Sequence, residues 1–209
     1  VTGRHRTVAL VLKARAYGDD DLIVDLLCDR LGRLSVLARA ARRSQRRYGG
    51  ALEMGVRLDA EIRFRAGRDL HSLGHCEVIA PLRKIREDLD RIQGLAYLLE
   101  LVRLATRDGA HDTTLFAMAC AFIDALEEAA ATTESIALWE IALLAHLGYG
   151  APGGPDLPDT AHDTLRRLAA GDATARFLDT DVEPVRRHFE SHWTRVLGHA
   201  PRSARFLAA

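Results

Sequence analysis

Cysteine is scarce in this chain: Cys28, Cys76 and Cys120 are the only three in 209 residues, and no two form a C-x-x-C pair. Odd in number and scattered, they exclude a disulfide framework and supply no zinc knuckle. Nothing approaches the roughly 18 consecutive apolar residues of a membrane span. The first apolar run, residues 8–12, is ended by Lys13 and is too short for the core of a secretory signal. The expectation is a cytoplasmic protein without a membrane segment. Catalytic patterns are missing as well. There is no Ser/His/Asp or Cys/His arrangement, and the pairs Gly49-Gly50 and Gly153-Gly154 lack the G-K-[ST] continuation of a phosphate loop. Neither an enzyme nor a cofactor is expected.

What is present is local charge. Lysine plus arginine balance aspartate plus glutamate at 29 each, yet residues 39–48 hold five arginines and no acid (Arg39, Arg42, Arg43, Arg46, Arg47). Like charges packed this closely repel, and a fold tolerates them best opposite a polyanion, most commonly the phosphate backbone of a nucleic acid. A solvated basic turn is the alternative. Charge is also divided along the chain. Residues 1–80 carry fifteen basic and ten acidic side chains, a net of +5, which leaves −5 for residues 81–209. Such asymmetry suggests two regions with different partners.

The hydrophobic period changes at the same place. Val56, Leu58, Ala60, Ile62 and Phe64 alternate with Arg57, Asp59, Glu61, Arg63 and Arg65, the period of two of a half-buried strand. Further β-rich runs at 8–12, 22–28, 33–38 and 70–79 are separated by turns at Gly18-Asp19-Asp20, Asp29-Arg30-Leu31-Gly32 and Ala66-Gly67-Arg68-Asp69. Five short antiparallel strands predict a small barrel with the strand count of an OB-fold, an SH3-like barrel being open on pattern alone. Beyond Pro81 the apolar positions step by three and four, through Leu89, Ile92, Ala96, Leu99 and Val102, as on one face of a helix. Asp112-Thr113-Thr114 caps a second helix to about Glu128, and Thr133 opens a third that Gly148 closes. A Gly/Pro loop at 150–158 precedes two shorter helices near 159–170 and 182–198. The expected class is therefore α+β: a barrel domain over 1–80 and an α-helical domain over 81–209.

The order of the N-terminal features carries a family resemblance. An apolar strand leads to Tyr17-Gly18-Asp19-Asp20-Asp21, then Ile23-Val24, a turn at Leu31-Gly32, and Leu34-Ser35-Val36 running into Ala38-Arg39-Ala40-Ala41-Arg42-Arg43. Tyr48-Gly49-Gly50-Ala51-Leu52 follows. This succession resembles the start of bacterial RecO proteins, as do 96–102, Leu143-Leu144-Ala145-His146-Leu147-Gly148-Tyr149, and the ending Arg202-Ser203-Ala204-Arg205-Phe206-Leu207. The resemblance implies an OB-fold followed by a helical domain. It also implies a recombination mediator that binds single- and double-stranded DNA, anneals complementary strands and helps load RecA on DNA covered by single-strand-binding protein (SSB). The implied partners are the acidic, hydrophobic C-terminal tail of SSB and RecR, and the implied location is the nucleoid. Two departures stand out. Ala40 occupies the position after a basic residue where the family usually has glycine. Residues 150–158 stand where many members carry a four-cysteine zinc module, so a zinc-free member is expected.

On this reading Arg42, Arg43, Arg46 and Arg47 contact phosphates, flanked by Arg33 and Arg39. Phosphate contacts give affinity without sequence preference. With 6% aromatic residues overall, binding rests on charge more than on base stacking; Tyr48 either stacks on a base or packs in the core. A C-terminal set that includes Arg202 and Arg205 either extends the DNA path or pairs with acids such as Glu127 and Glu128. His188 and His192, four apart, have a spacing able to hold a metal, but no third ligand is evident and an exposed helix surface is expected, with no metal. Asp19-Asp20-Asp21 is read as a solvated turn and not a Mg²⁺ site. The SSB tail requires an apolar pocket rimmed by positive charge, expected on the helical domain. The rival reading is an interaction scaffold whose basic loop docks an acidic protein, and the weakest is an enzyme that uses His188 and His192.

Overall fold

The computed structural model describes residues 3–44, 48–65, 67, 69–150 and 153–207. Five strands, β1 (Gly3–Tyr17), β2 (Asp21–Cys28), β3 (Gly32–Ala38), β4 (Arg57–Phe64) and β5 (Leu70–Ala80), close into a barrel in the order β1-β2-β3-β5-β4. The seam between β3 and β5 is parallel, from Ser35↔Leu70 to Leu37↔Ser72, and the other pairings are antiparallel. This closure is that of an OB-fold and removes the SH3-like alternative. The alternation predicted for β4 holds: Leu58, Ala60 and Ile62 are wholly buried, while Asp59 and Glu61 lie toward solvent. With Leu10, Val24, Leu26 and Val36 they form the barrel core, each large side chain contributing about 1.5–3 kcal/mol through burial. β1 is far longer than its apolar run because its ends, with Arg4, Arg6, Lys13 and Arg15, continue the ladders onto β4 and β2.

Helices α1 (Leu89–Ala105), α2 (Thr113–Glu128), α3 (Thr133–His146), α4 (Asp159–Ala169) and α5 (Asp179–Leu197) follow, with 3-10 turns at Ile85–Glu87 and Arg202–Phe206. Local chemistry sets their ends. Asp112 Oδ1 accepts the Leu115 N–H at the start of α2, and Thr132 and Ser135 form a reciprocal capping box on α3. Gly198, at φ +81°, ends α5.

The chain separates into two compact units, Val1–Lys84 with Thr106–Asp124, and Ile85–Ala105 with Ala125–Ala209. Two contacts hold the 106–124 segment in the barrel unit. Asp124 pairs with Arg57 of β4 at 2.5 Å. Gly32, at φ +69°, is pressed so closely on the segment that a Cβ there would lie 2.6 Å from the Ala110 carbonyl carbon. No described helix is long and apolar enough to cross a membrane.

Candidate nucleic-acid interface

The loop after β3 is shaped by the backbone as much as by charge. Ala40 sits at φ +54°, in the left-handed region that costs an L-residue about 1–2 kcal/mol and glycine almost nothing. Alanine thus keeps the turn that the expected glycine would make, under strain. Bonds from the turn between β1 and β2 hold it there. The Ala40 N–H donates to Asp21 Oδ1 at 2.8 Å, the Arg42 N–H to the Asp20 carbonyl at 2.9 Å, and Arg42 Nη1 to the Asp19 carbonyl at 2.8 Å. Arg43 Nε lies 2.5 Å from Asp20 Oδ1.

Asp19-Asp20-Asp21 is therefore the support of the basic loop and not a merely solvated turn. The sequence reading missed this role. Its signal lay in the ladder, which pairs Leu22 with Ala38 and so places residues 19–21 beside 39–42.

Arg39 and Arg42 are exposed, and Arg39 forms no ion pair among the described residues. The Arg43 side chain is 75% exposed even while paired. An ion pair that open contributes little, about 0–1 kcal/mol, and can be exchanged for a phosphate. Arg46 and Arg47 lie outside the described residues. Past them Tyr48, 4% exposed, joins Ala51 and Leu52 in the core. Tyr48 is therefore an anchor and not a stacking surface. A ring left open beside the loop is that of Tyr17, 53% exposed at the end of β1, where it pairs with Asp21.

Arg33 is placed differently from the others. Its side chain is 18% exposed and its guanidinium pairs with Asp108 at 2.7 Å, while its carbonyl accepts the Gly109 N–H at 2.7 Å. It fastens β3 to the 106–124 segment. Arg202 and Arg205 belong to the helical unit, both exposed; the Ser203 N–H between them donates to Glu100 at 2.8 Å, and the Arg205 guanidinium lies 4.6 Å over the Phe206 ring.

His188 and His192 are not an exposed pair. Both are half-buried on α5, their rings 6.4 Å apart, and burial pulls the pKa of each below the ordinary histidine value. Among the described residues, no group of three or more His, Cys, Asp or Glu side chains is placed to hold a metal ion. The Cys28 thiol is pushed up to about 12 by burial, which makes it a poor nucleophile at neutral pH.

Residues 3–82 match the family model described as recombination protein O N terminal, and residues 86–162 match recombination protein O C terminal. The DNA repair protein RecO of Myxococcus xanthus is 35% identical over 170 residues, which cover 76% of this chain and 69% of that protein. The chain belongs to the RecO family. RecO of Pelobacter propionicus is 39% identical over 141 residues, 68% of this chain and 57% of that protein. RecO of Anaeromyxobacter dehalogenans strain 2CP-1 is 37% identical over 145 residues, 69% of this chain and again 57% of the relative. The chain thus spans little more than half the length of several of its RecO relatives.

The helical unit of this RecO-family chain contains a cavity of about 580 Å³ with aromatic walls. Its rim holds Asp90, Glu134, Asp179, Glu183 and Glu190, and Arg186 is the one basic side chain among the described residues that line it. This is the opposite of the positive rim expected for an acidic tail.

Proposed function

We propose that this RecO-family chain takes part in DNA repair by holding DNA backbones on the basic loop of its OB-fold. Arg39, Arg42 and Arg43, with Arg46 and Arg47, contact phosphates without reading sequence, and Tyr17 offers one ring to a base. The observation that carries this reading is the loop itself: guanidinium groups project from a strained turn that carboxylates and carbonyls of the neighbouring turn hold in place. Mutual repulsion is built into that arrangement and is relieved when phosphates arrive. No covalent step is involved. Annealing follows from charge neutralisation, because one protein holding two strands lowers their repulsion while the bases pair.

Arg33 acts by fixing the strand beneath the loop. Help in loading RecA on SSB-coated DNA, contact with the SSB tail and with RecR, and a nucleoid location come with the family resemblance. For the acidic tail, Arg202, Arg205 and the exposed Phe206 are a better complement than the acid-rimmed cavity. The test is fluorescence anisotropy with two oligonucleotides of unrelated sequence and an acidic polypeptide. Both oligonucleotides are expected to bind the unaltered protein equally and to lose affinity together when Arg42, Arg43, Arg46 and Arg47 are replaced by Ala. Unchanged DNA affinity in that folded variant, or tighter binding of the polypeptide, would favour the scaffold reading.

A further inference from the structure

We infer that the cavity of the helical unit binds an arginine side chain carried on a basic, apolar-flanked peptide segment of a partner protein. The cavity is lined from α1, α3 and α5, with Tyr97, Phe177 and Phe189 as buried rings in its wall. Glu140, 3% exposed, also lines it. Tyr97 Oη and Trp193 Nε1 both donate to Glu140 Oε1, the latter at 2.9 Å. Both hydrogen bonds fall on Oε1, which leaves Oε2 without one among the described residues of a side chain that lines the cavity.

Oε1 joins α3 to α1 and α5 through Tyr97 and Trp193, whereas an oxygen of a buried carboxyl that makes no such bond is costly to the fold. Burial pushes Glu140 up to about 8, against the pull of the Tyr97 and Trp193 bonds. A cation entering the cavity supplies both the missing donor and the countercharge. The rim points to the same ligand. Arg186 is already paired to Glu183 at 2.6 Å, whereas Asp90, Asp179 and Glu190 form no ion pair among the described residues. A planar guanidinium donates in its plane to a carboxylate while its faces lie on aromatic rings, which a compact ammonium does less well. The apolar wall leaves room for the flanking side chains of a segment, and the acid rim excludes an acidic one.

The test uses the full chain, ¹H–¹⁵N spectra and three capped hexapeptides in which leucine alternates with arginine, citrulline or glutamate. The reporter is the Trp193 indole N–H, with the Trp139 indole as internal reference. The arginine peptide is expected to shift Trp193 saturably, the citrulline peptide far less and the glutamate peptide not at all. Glu140→Gln should weaken the arginine peptide roughly tenfold or more. The double variant Asp90→Asn/Glu190→Gln, altered only at exposed positions, should weaken it several-fold and decides the matter if Glu140→Gln does not fold. Oligonucleotide binding should be unchanged in both variants, so failure here is separable from failure of the DNA reading. Arginine-peptide binding that leaves Trp193 unmoved, equal affinity in the rim variant, or a preference for glutamate would overturn the assignment. So would concentration-dependent self-association that shifts Trp193 without peptide, since the occupant would then be a second copy.

Discussion

The barrel unit carries its distinctive charge outward and the helical unit carries its own inward. On the barrel, Arg39, Arg42 and Arg43 stand in solvent at the end of β3, and the one carboxylate that forms an ion pair with them among the described residues, Asp20, is itself open to exchange. In the helical unit Glu140 is buried among aromatic rings, with only Tyr97 and Trp193 to answer it among the described residues. Exposed charge stays ionised and binds a polyanion at a salt-dependent cost. Buried charge is tied to a proton and to whatever cation can reach it. One chain that is neutral overall can therefore present two surfaces with opposite preferences.

The largest expected effect breaks the barrel side of this contrast. Gly32→Ala adds a Cβ against Ala110 at a positive φ, and backbone strain with overpacking should cost about 2–5 kcal/mol. Urea denaturation of the full chain measures it, and a loss below about 1 kcal/mol would show that the close approach relaxes freely.

Next comes the helical side. Glu140 has a folded-state pKa of about 8, above that of an unfolded glutamate. Its contribution is fully present below the unfolded value and is lost as pH rises through about 8. His71, His188 and His192 act the other way, because burial lowers their pKa values and their contribution is lost as pH falls. The informative quantity is therefore the difference from Glu140→Gln. The variant should gain on the parent by a few kcal/mol between about pH 5 and 8.5. A pH-independent difference would mean that Glu140 stays ionised.

Smaller effects sharpen the account of the loop. Asp21→Ala removes the acceptor of the Ala40 N–H and should cost about 1 kcal/mol, with DNA affinity lowered less than by removal of arginines. Affinity unchanged in this variant would mean that the loop needs no preorganisation. Ala40→Gly relieves the left-handed strain and should raise stability by about 0.5–1 kcal/mol. A loss instead would place the strain elsewhere.

Much of the fold was legible because the strands and helices obey their periods. The alternation of 56–64 marked β4, and the change of step after Pro81 marked the helices. The ends of β1 were not legible, since their polar residues face solvent on both ladders. Nor was the closure of β3 on β5, which depends on contacts between residues 35 positions apart. In the site, the basic run was visible as composition, but its support was not. Asp19-Asp20-Asp21 and Asp108 acquire their meaning only when pairing sets them beside Arg42, Arg43 and Arg33. Glu140 did leave a trace: it lies four residues after Ile136 and three before Leu143, on the buried face of α3. An acid at such a position is a sign of a partnered or ligand-facing group.

The central claim is that the arginine loop binds phosphate backbone by charge, and the salt dependence of single-stranded DNA affinity tests it most directly. With about five phosphates neutralised, the slope of log affinity against log salt should be roughly −3.5, and replacing Arg42, Arg43, Arg46 and Arg47 by Ala should make it shallower by roughly 3. A slope unchanged in the folded variant, or near zero in the unaltered protein, would contradict the account.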